Sequence, residues 1–169
     1  MIPVVETERL ILRGHRLDDF DALAAMWADP IVVRHIGNQP STTEQSWARL
    51  LRYAGHWALL GFGFWAIEDR ASGRFAGEIG VADFKREVEP PIGELETGWV
   101  LASWAHGRGL ATEALRAVLA WSDAKFAGRA TACVIDLDNA ASRHVAEKCG
   151  YRETHRTTYH DEPIVVFRR

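Results

Sequence analysis

Three groups of residues in this chain have the types and spacing to do chemistry. The first is His106-Gly107-Arg108-Gly109-Leu110-Ala111-Thr112, where two glycines flank an arginine just before a long segment of helical periodicity. Glycine lets a backbone turn tightly and approach a ligand closely. The first amides of a following helix are free and its dipole favours negative charge, so this loop can seat a phosphate or diphosphate, with Arg108 adding charge. The second group is Glu94 and Glu96, carboxylates that share one face if they lie on a strand. The third is Asn139 with Ser142: Asp138 or Asn139 can cap a helix, and Ser142 lies in its first turn, where a hydroxyl commonly only satisfies the backbone.

Other chemistries find less support. Cys133 and Cys149 stand apart without CxxC spacing, no HxxxH occurs, and the seven histidines are scattered, so no metal site is expected. A covalent cysteine mechanism would need an activating base nearby, and none is visible. A P-loop needs Gly-Lys-Ser/Thr, whereas the loop reads Gly109-Leu110-Ala111. A dinucleotide fingerprint needs a third glycine where Thr112 stands and a place early in a βαβ unit.

The elements that must position these groups can be read from periodicity. Strands are expected at 7–13, 62–69, 74–84, 93–101, 130–135, 153–159 and 164–168, and helices at 17–28, from Ser41 or Thr42 to about His56, at 111–126 and from 139 to Gly150. Asp18 is the expected cap of the first helix. Trp47, Leu50, Leu51 and Ala54 are the expected inner face of the second, and Leu115, Val118, Leu119 and Ser122 that of the third. Three consecutive antiparallel strands followed by a β-α-β crossover imply a mixed, mostly antiparallel sheet of the α/β (α+β) class with helices on its faces.

The 169 residues fit one domain, 1–169, with no repeat or linker. A formal net charge of -3 provides no basic field for nucleic acid or anionic lipid, so neither partner is expected. The longest apolar stretch, Trp57 to Ile67, contains two glycines and is too short to span a bilayer. The start of the chain lacks a signal-peptide pattern, and with two unpaired cysteines the default compartment is a reducing cytoplasm. Trp27, Trp47 and Trp57 are either core or the lining of an acceptor groove. Tyr151 reads as a core aromatic, and Arg168-Arg169 as a solvated tail.

The motifs in order resemble the GNAT N-acetyltransferases, in particular the branch of ribosomal-protein N-terminal acetyltransferases. The blocks are Glu6-Thr7-Glu8-Arg9-Leu10-Ile11-Leu12-Arg13, Gly61-Phe62-Gly63-Phe64-Trp65-Ala66-Ile67, Gly77-Glu78-Ile79-Gly80, Glu96-Thr97-Gly98-Trp99-Val100-Leu101, Gly107 to Ala114, Asn139 to Arg143, and Glu147-Lys148-Cys149-Gly150-Tyr151. The resemblance implies a sheet of about seven strands splayed between the fourth and fifth, at 93–101 and 130–135. It implies acetyl-CoA as co-substrate, with the pantetheine arm bonding along Trp99, Val100 and Leu101 like an added strand. The diphosphate would rest on the loop from His106 through Gly107, Arg108, Gly109, Leu110 and Ala111 to Thr112, Asn139 would bind the pantetheine or thioester end, and Ser142 would meet the cofactor at its sulfur. His106 departs from the Gln or Arg usual at the loop's start.

Acetyl transfer to a primary amine requires removal of a proton from an alkylamine of pKa about 10. Glu96 is the candidate base, with Glu94 as substitute and a water relay open to either. The tyrosine that many relatives use as acid is replaced by Ala146, and the branch's serine falls at Ser142, the candidate donor to the departing thiolate. The expected acceptor is a small-molecule amine or a protein N-terminus, and the expected assembly a monomer or homodimer. The reading from a different class is a non-catalytic acyl-CoA sensor or interaction module on the same fold.

Overall fold

Successive residues of a strand point to opposite faces of its sheet, and in this chain that alternation separates two chemistries. The computed structural model describes residues 1–169. Its strands are β1 (Val5–Glu6), β2 (Leu10–Arg13), β3 (Phe64–Asp69), β4 (Phe75–Ala82), β5 (Leu95–Leu101), β6 (Thr131–Asp136), β7 (Arg152–Tyr159) and β8 (Glu162–Arg168). Its helices are α1 (Phe20–Ala28), α2 (Pro30–Val33), α3 (Thr43–Leu60), α4 (Leu110–Lys125) and α5 (Ala140–Lys148). On β3, Trp65 meets Trp121 of α4 at 4.8 Å between ring centroids, while its neighbour Phe64 stacks on Tyr53 of α3 at 4.9 Å. The α4 face is mostly apolar: Trp65, Ile67, Ile79 and Val81 pack on Leu115, Val118 and Leu119. Apart from Phe64, the face under α1 and α3 carries Ala66, Glu78, Gly80, Ala82, Glu96 and Gly98, small or acidic side chains that cannot close the space below the helices.

All eight strands form one sheet in the order β1-β2-β3-β4-β5-β6-β8-β7. The strand beyond the seven expected is β1, whose two residues pair with Ile11 and Leu12 and are too few to show alternation. Only β5 and β6 run parallel, and they pair at two positions, Leu95 with Thr131 and Glu96 with Ala132. Beyond these β5 stays with β4 as far as Leu101, and β6 stays with β8 as far as Asp136. Burial on β5 changes at the same point, from buried Leu95, Glu96 and Thr97 to half-buried Gly98, Trp99 and Val100. The expected splay is therefore present, at the expected strands.

Tyr151 pins the apex of this fork. Its hydroxyl lies 2.7 Å from Thr97 Oγ1 on β5 and 2.7 Å from Thr131 Oγ1 on β6. Burial pushes the Tyr151 phenol up to about 12, so it remains a protonated hydrogen-bonding group of the core at neutral pH.

Several expectations need correction. Asp19, not Asp18, secures the start of α1. It accepts from the Arg16 amide at 2.7 Å and from two nitrogens of Arg13 at 2.8 Å, and although burial acts against it, these bonds hold its carboxyl below the usual range. The inner face of α3 is Ser46, Leu50, Tyr53 and Trp57, because the surface beneath is partly polar; Trp47 and Leu51 are exposed. Thr42 caps α3 in a reciprocal box with Gln45, and the helix continues past His56 to Gly61, whose φ of 71° suits a glycine. Arg168 is not in a solvated tail: it pairs in β8 and bonds Glu94 at 3.0 Å. Arg169 makes a two-nitrogen contact with Asp123. No helix is long and apolar enough to cross a membrane.

The apex bonds yield a stability prediction. Tyr151→Phe removes the shared hydroxyl from two buried threonines and should lower unfolding free energy by about 1–3 kcal/mol, read as an earlier urea midpoint at unchanged slope. A variant as stable as the parent would show that the apex does not depend on this hydroxyl.

Candidate active site

The loop between β5 and α4 is built to leave donors free. Gly107 and Gly109 have φ of 71° and 75°, where other residues are strained, and Gly109 is the N-cap of α4. His106 and Glu113 find backbone acceptors at Ser103 and Gly109, but the six amides from Gly107 to Thr112 have none within the protein. The side chain of Leu110 is buried in the core, so only its backbone is available. The loop is held from behind by Arg9, which bonds the Arg108 carbonyl at 2.8 Å and the Glu113 carboxylate at 2.7 Å. His106 Nε2 lies 2.8 Å from the Leu101 carbonyl, which ties the loop to the end of β5. The Arg108 guanidinium is half exposed and 3.8 Å from Asp69. A row of free amides at a helix start suits a diphosphate, so the residues present fit the diphosphate of acetyl-CoA.

Beside the fork, under α1 and α3, lies a cleft of about 820 Å³. Of the predicted site residues, Glu96, Trp99, Val100, Asn139 and Ser142 line it. Leu101 and the loop 106–112 lie outside it. Asn139 caps α5, accepting from the Ser142 amide at 3.1 Å, and this leaves the Ser142 hydroxyl free of any protein partner. Glu96 is buried and held by Arg86 through three contacts of 2.7–2.9 Å. Burial opposes the Arg86 charge, but the bonds to Glu96 outweigh it and raise the guanidinium above its ordinary value. Glu94, the substitute, lies outside the cleft and is engaged by Arg168.

Sequence reading missed a buried carboxylate behind the wall of this cleft. Glu78 is 0% exposed, and its Oε2 accepts from the Trp27 indole at 2.9 Å and the Tyr53 hydroxyl at 3.1 Å. Burial, then the Glu78 charge, pushes the Tyr53 phenol well above its usual range. The remaining Glu78 oxygen faces His15 Nε2 at 3.4 Å, outside hydrogen-bond geometry. The detectable signal was a glutamate in the middle of the otherwise apolar strand Phe75–Ala82. Trp27 is thus both core and cleft wall, Trp57 is core with its N–H on the Phe64 carbonyl, and Trp47 is exposed against Phe20. Arg49, Arg52 and Arg86 also line the cleft and were not singled out.

Residues 9–152 match the family described as Acetyltransferase (GNAT) domain. A solved structure from Bordetella pertussis, described as a GnaT-family acetyltransferase, is 30% identical with a TM-score of 0.86, covering 99% of both chains. YkkB of Bacillus subtilis (strain 168) is 32% identical over 109 residues, which span 64% of this chain and 62% of that protein. Spermidine N-acetyltransferase of Vibrio cholerae, solved with CoA and spermine, is 14% identical with a TM-score of 0.75 over 96% of each chain, a likeness of fold.

The loop geometry yields a binding prediction. Gly109→Val places a branched side chain at a φ of 75° and should turn the amides away from a diphosphate. Its Kd for CoA should rise by about tenfold or more in calorimetric titration, a loss of roughly one charge-assisted hydrogen bond. Unchanged affinity would mean that the loop is not the diphosphate seat.

Proposed function

Since this chain belongs to the GNAT acetyltransferase family, we propose that it transfers the acetyl group of acetyl-CoA to a primary amine by direct attack. Acetyl transfer is the family's reaction and acetyl-CoA its co-substrate. The observation that carries the reading is a fork between β5 and β6 with six unpaired amides on one side and the Glu96 carboxylate in a cleft on the other. Half-buried strand backbone at Gly98 to Val100, unpaired on its β6 side, can accept a pantetheine arm by adding a strand.

The amine lone pair forms a bond to the acetyl carbonyl carbon, the carbon–sulfur bond breaks, and its electron pair leaves on the CoA sulfur. The amine proton must go elsewhere. Glu96 faces the cleft, but both its oxygens are occupied by Arg86, which leaves it poorly placed to remove a proton directly. Its part in this reading is to attract and orient the ammonium and to take the proton through a water. The Ser142 hydroxyl, free beside the capped start of α5, donates a hydrogen bond to the developing thiolate.

Release of free thiol from acetyl-CoA across a panel of amines and N-terminal peptides tests this. Glu96→Gln should lower kcat/KM by about 10²–10⁴-fold and Ser142→Ala by about tenfold. Full activity in both variants would overturn the assigned roles. CoA binding without turnover of any amine would overturn the transferase reading and leave a sensor.

A further inference from the structure

The acceptor wall of the cleft carries cations that no carboxylate neutralises. Arg49 and Arg52 lie three residues apart on α3, and both line the cleft. The Arg49 guanidinium sits 3.5 Å from the centroid of the Trp27 ring, with a 3.3 Å contact to the Ser41 hydroxyl. The Arg52 guanidinium sits 5.3 Å from the Phe84 ring, which also holds Arg86 at 4.9 Å. Arg52 is thereby linked through Phe84 and Arg86 to Glu96.

Of the acids lining the same cleft, Glu96 is paired with Arg86 and Asp83 with Lys85, while Asp136 lies 3.3 Å from His35 Nδ1, an ion pair only when that imidazole is protonated. Neither Arg49 nor Arg52 has a carboxylate within 4.0 Å. Glu78 lies beyond Trp27, bonded to the indole N–H, and influences Arg49 without touching it. Burial pushes the Arg49 guanidinium below its ordinary value, as expected of a cation that has lost water and gained no counter-ion. A guanidinium seated over an aromatic ring can keep N–H groups for a planar two-oxygen anion. These arginines are not the diphosphate seat, because no residue from 106 to 112 lines this cleft.

We infer that the acceptor is a small amine that also bears a carboxylate, gripped by Arg49 and Arg52 while its amino group lies at Glu96. The inference rests on the acetyl-transfer reading and names its substrate class. A cleft of about 820 Å³ is in the small-molecule range. The same positive wall disfavours polyamines, whose extra charges would meet guanidinium groups.

The test measures thiol release by the full chain with L-amino acids, the matching amino-acid amides, and spermidine. The acids should exceed their amides in kcat/KM by about tenfold or more. Arg49→Met and Arg52→Met should each bring that ratio toward one, through the KM of the acid, while Arg52→Lys retains part of it. Amides equal to acids, spermidine preferred over both, or a peptide N-terminus preferred over free amino acids would overturn the inference and leave amine acetylation standing. If no amine is turned over, the transferase reading falls, and binding decides the inference. N-acetyl amino acids should then bind the CoA-loaded chain more tightly than N-acetyl amino-acid amides, and equal binding overturns it.

Discussion

The parting of β5 from β6 after two paired positions is the constraint on which the rest of this structure depends. A sheet left to itself would continue pairing, because unpaired backbone in a folded interior is costly. Here the strands are committed elsewhere: β5 is bonded to β4 along its length and β6 to β8, and the gap at its apex is bridged by the Tyr151 hydroxyl between Thr97 and Thr131 and by the Thr97 hydroxyl, which donates to the Ala132 carbonyl at 3.3 Å. Thr97, Thr131 and Tyr151 close the wedge at one point, so its opening angle is set by the two flanking hairpins. Beyond that point the strands no longer pair with each other, and half-buried residues, Gly98 to Val100 on β5 and Val134 and Asp136 on β6, flank an opening fit for an extended chain.

The two faces of the sheet divide the labour. The α4 face holds an apolar core and places the free amides at the start of α4, braced by Arg9 through Glu113 and the Arg108 carbonyl. The opposite face gives up apolar packing to make a cleft. Its central carboxylate, Glu78, is buried without a hydrogen-bonded cation, and its two donors come from α1 and α3. Such a group is costly unless its bonds are kept. Trp27 and Tyr53 therefore cannot drift, and they fix the two helices above the cleft. The indole of Trp27 serves twice, donating to Glu78 at its edge and supporting Arg49 on its ring.

Much of this was legible in the sequence because it was local. The order of elements, the apolar stripe of α4, the cap at Asn139, the glycine turns at 107 and 109 and the splay between the expected strands all follow from short-range pattern or from the motif series. What was not legible was long-range. Glu78 meets Trp27 and Tyr53 from 51 and 25 residues away, and no local pattern records that α3 lies over a carboxylate. The apolar periodicity of α3 therefore pointed one position off, to Trp47, Leu51 and Ala54, while the buried side chains were Ser46, Tyr53 and Trp57. Arg86 escaped notice because it lies in a loop, and Arg168 and Arg169 because their partners Glu94 and Asp123 belong to distant segments.

The Arg86–Glu96 pair brings two demands on one carboxylate into opposition. A general base should have free lone pairs and a pKa near that of its task. A carboxylate buried beside the proposed thioester site must also be partnered, because an unpaired charge in a low-dielectric setting is costly. The guanidinium satisfies the second demand at the expense of the first. The conflict eases if the carboxylate acts through charge and not through direct proton removal. A fixed negative group at the apex of the fork lowers the cost of bringing an ammonium into the cleft, and a proton can then leave along water as the nitrogen attacks. On this view Arg86 keeps Glu96 aimed, and the catalytic contribution comes from where the charge is held.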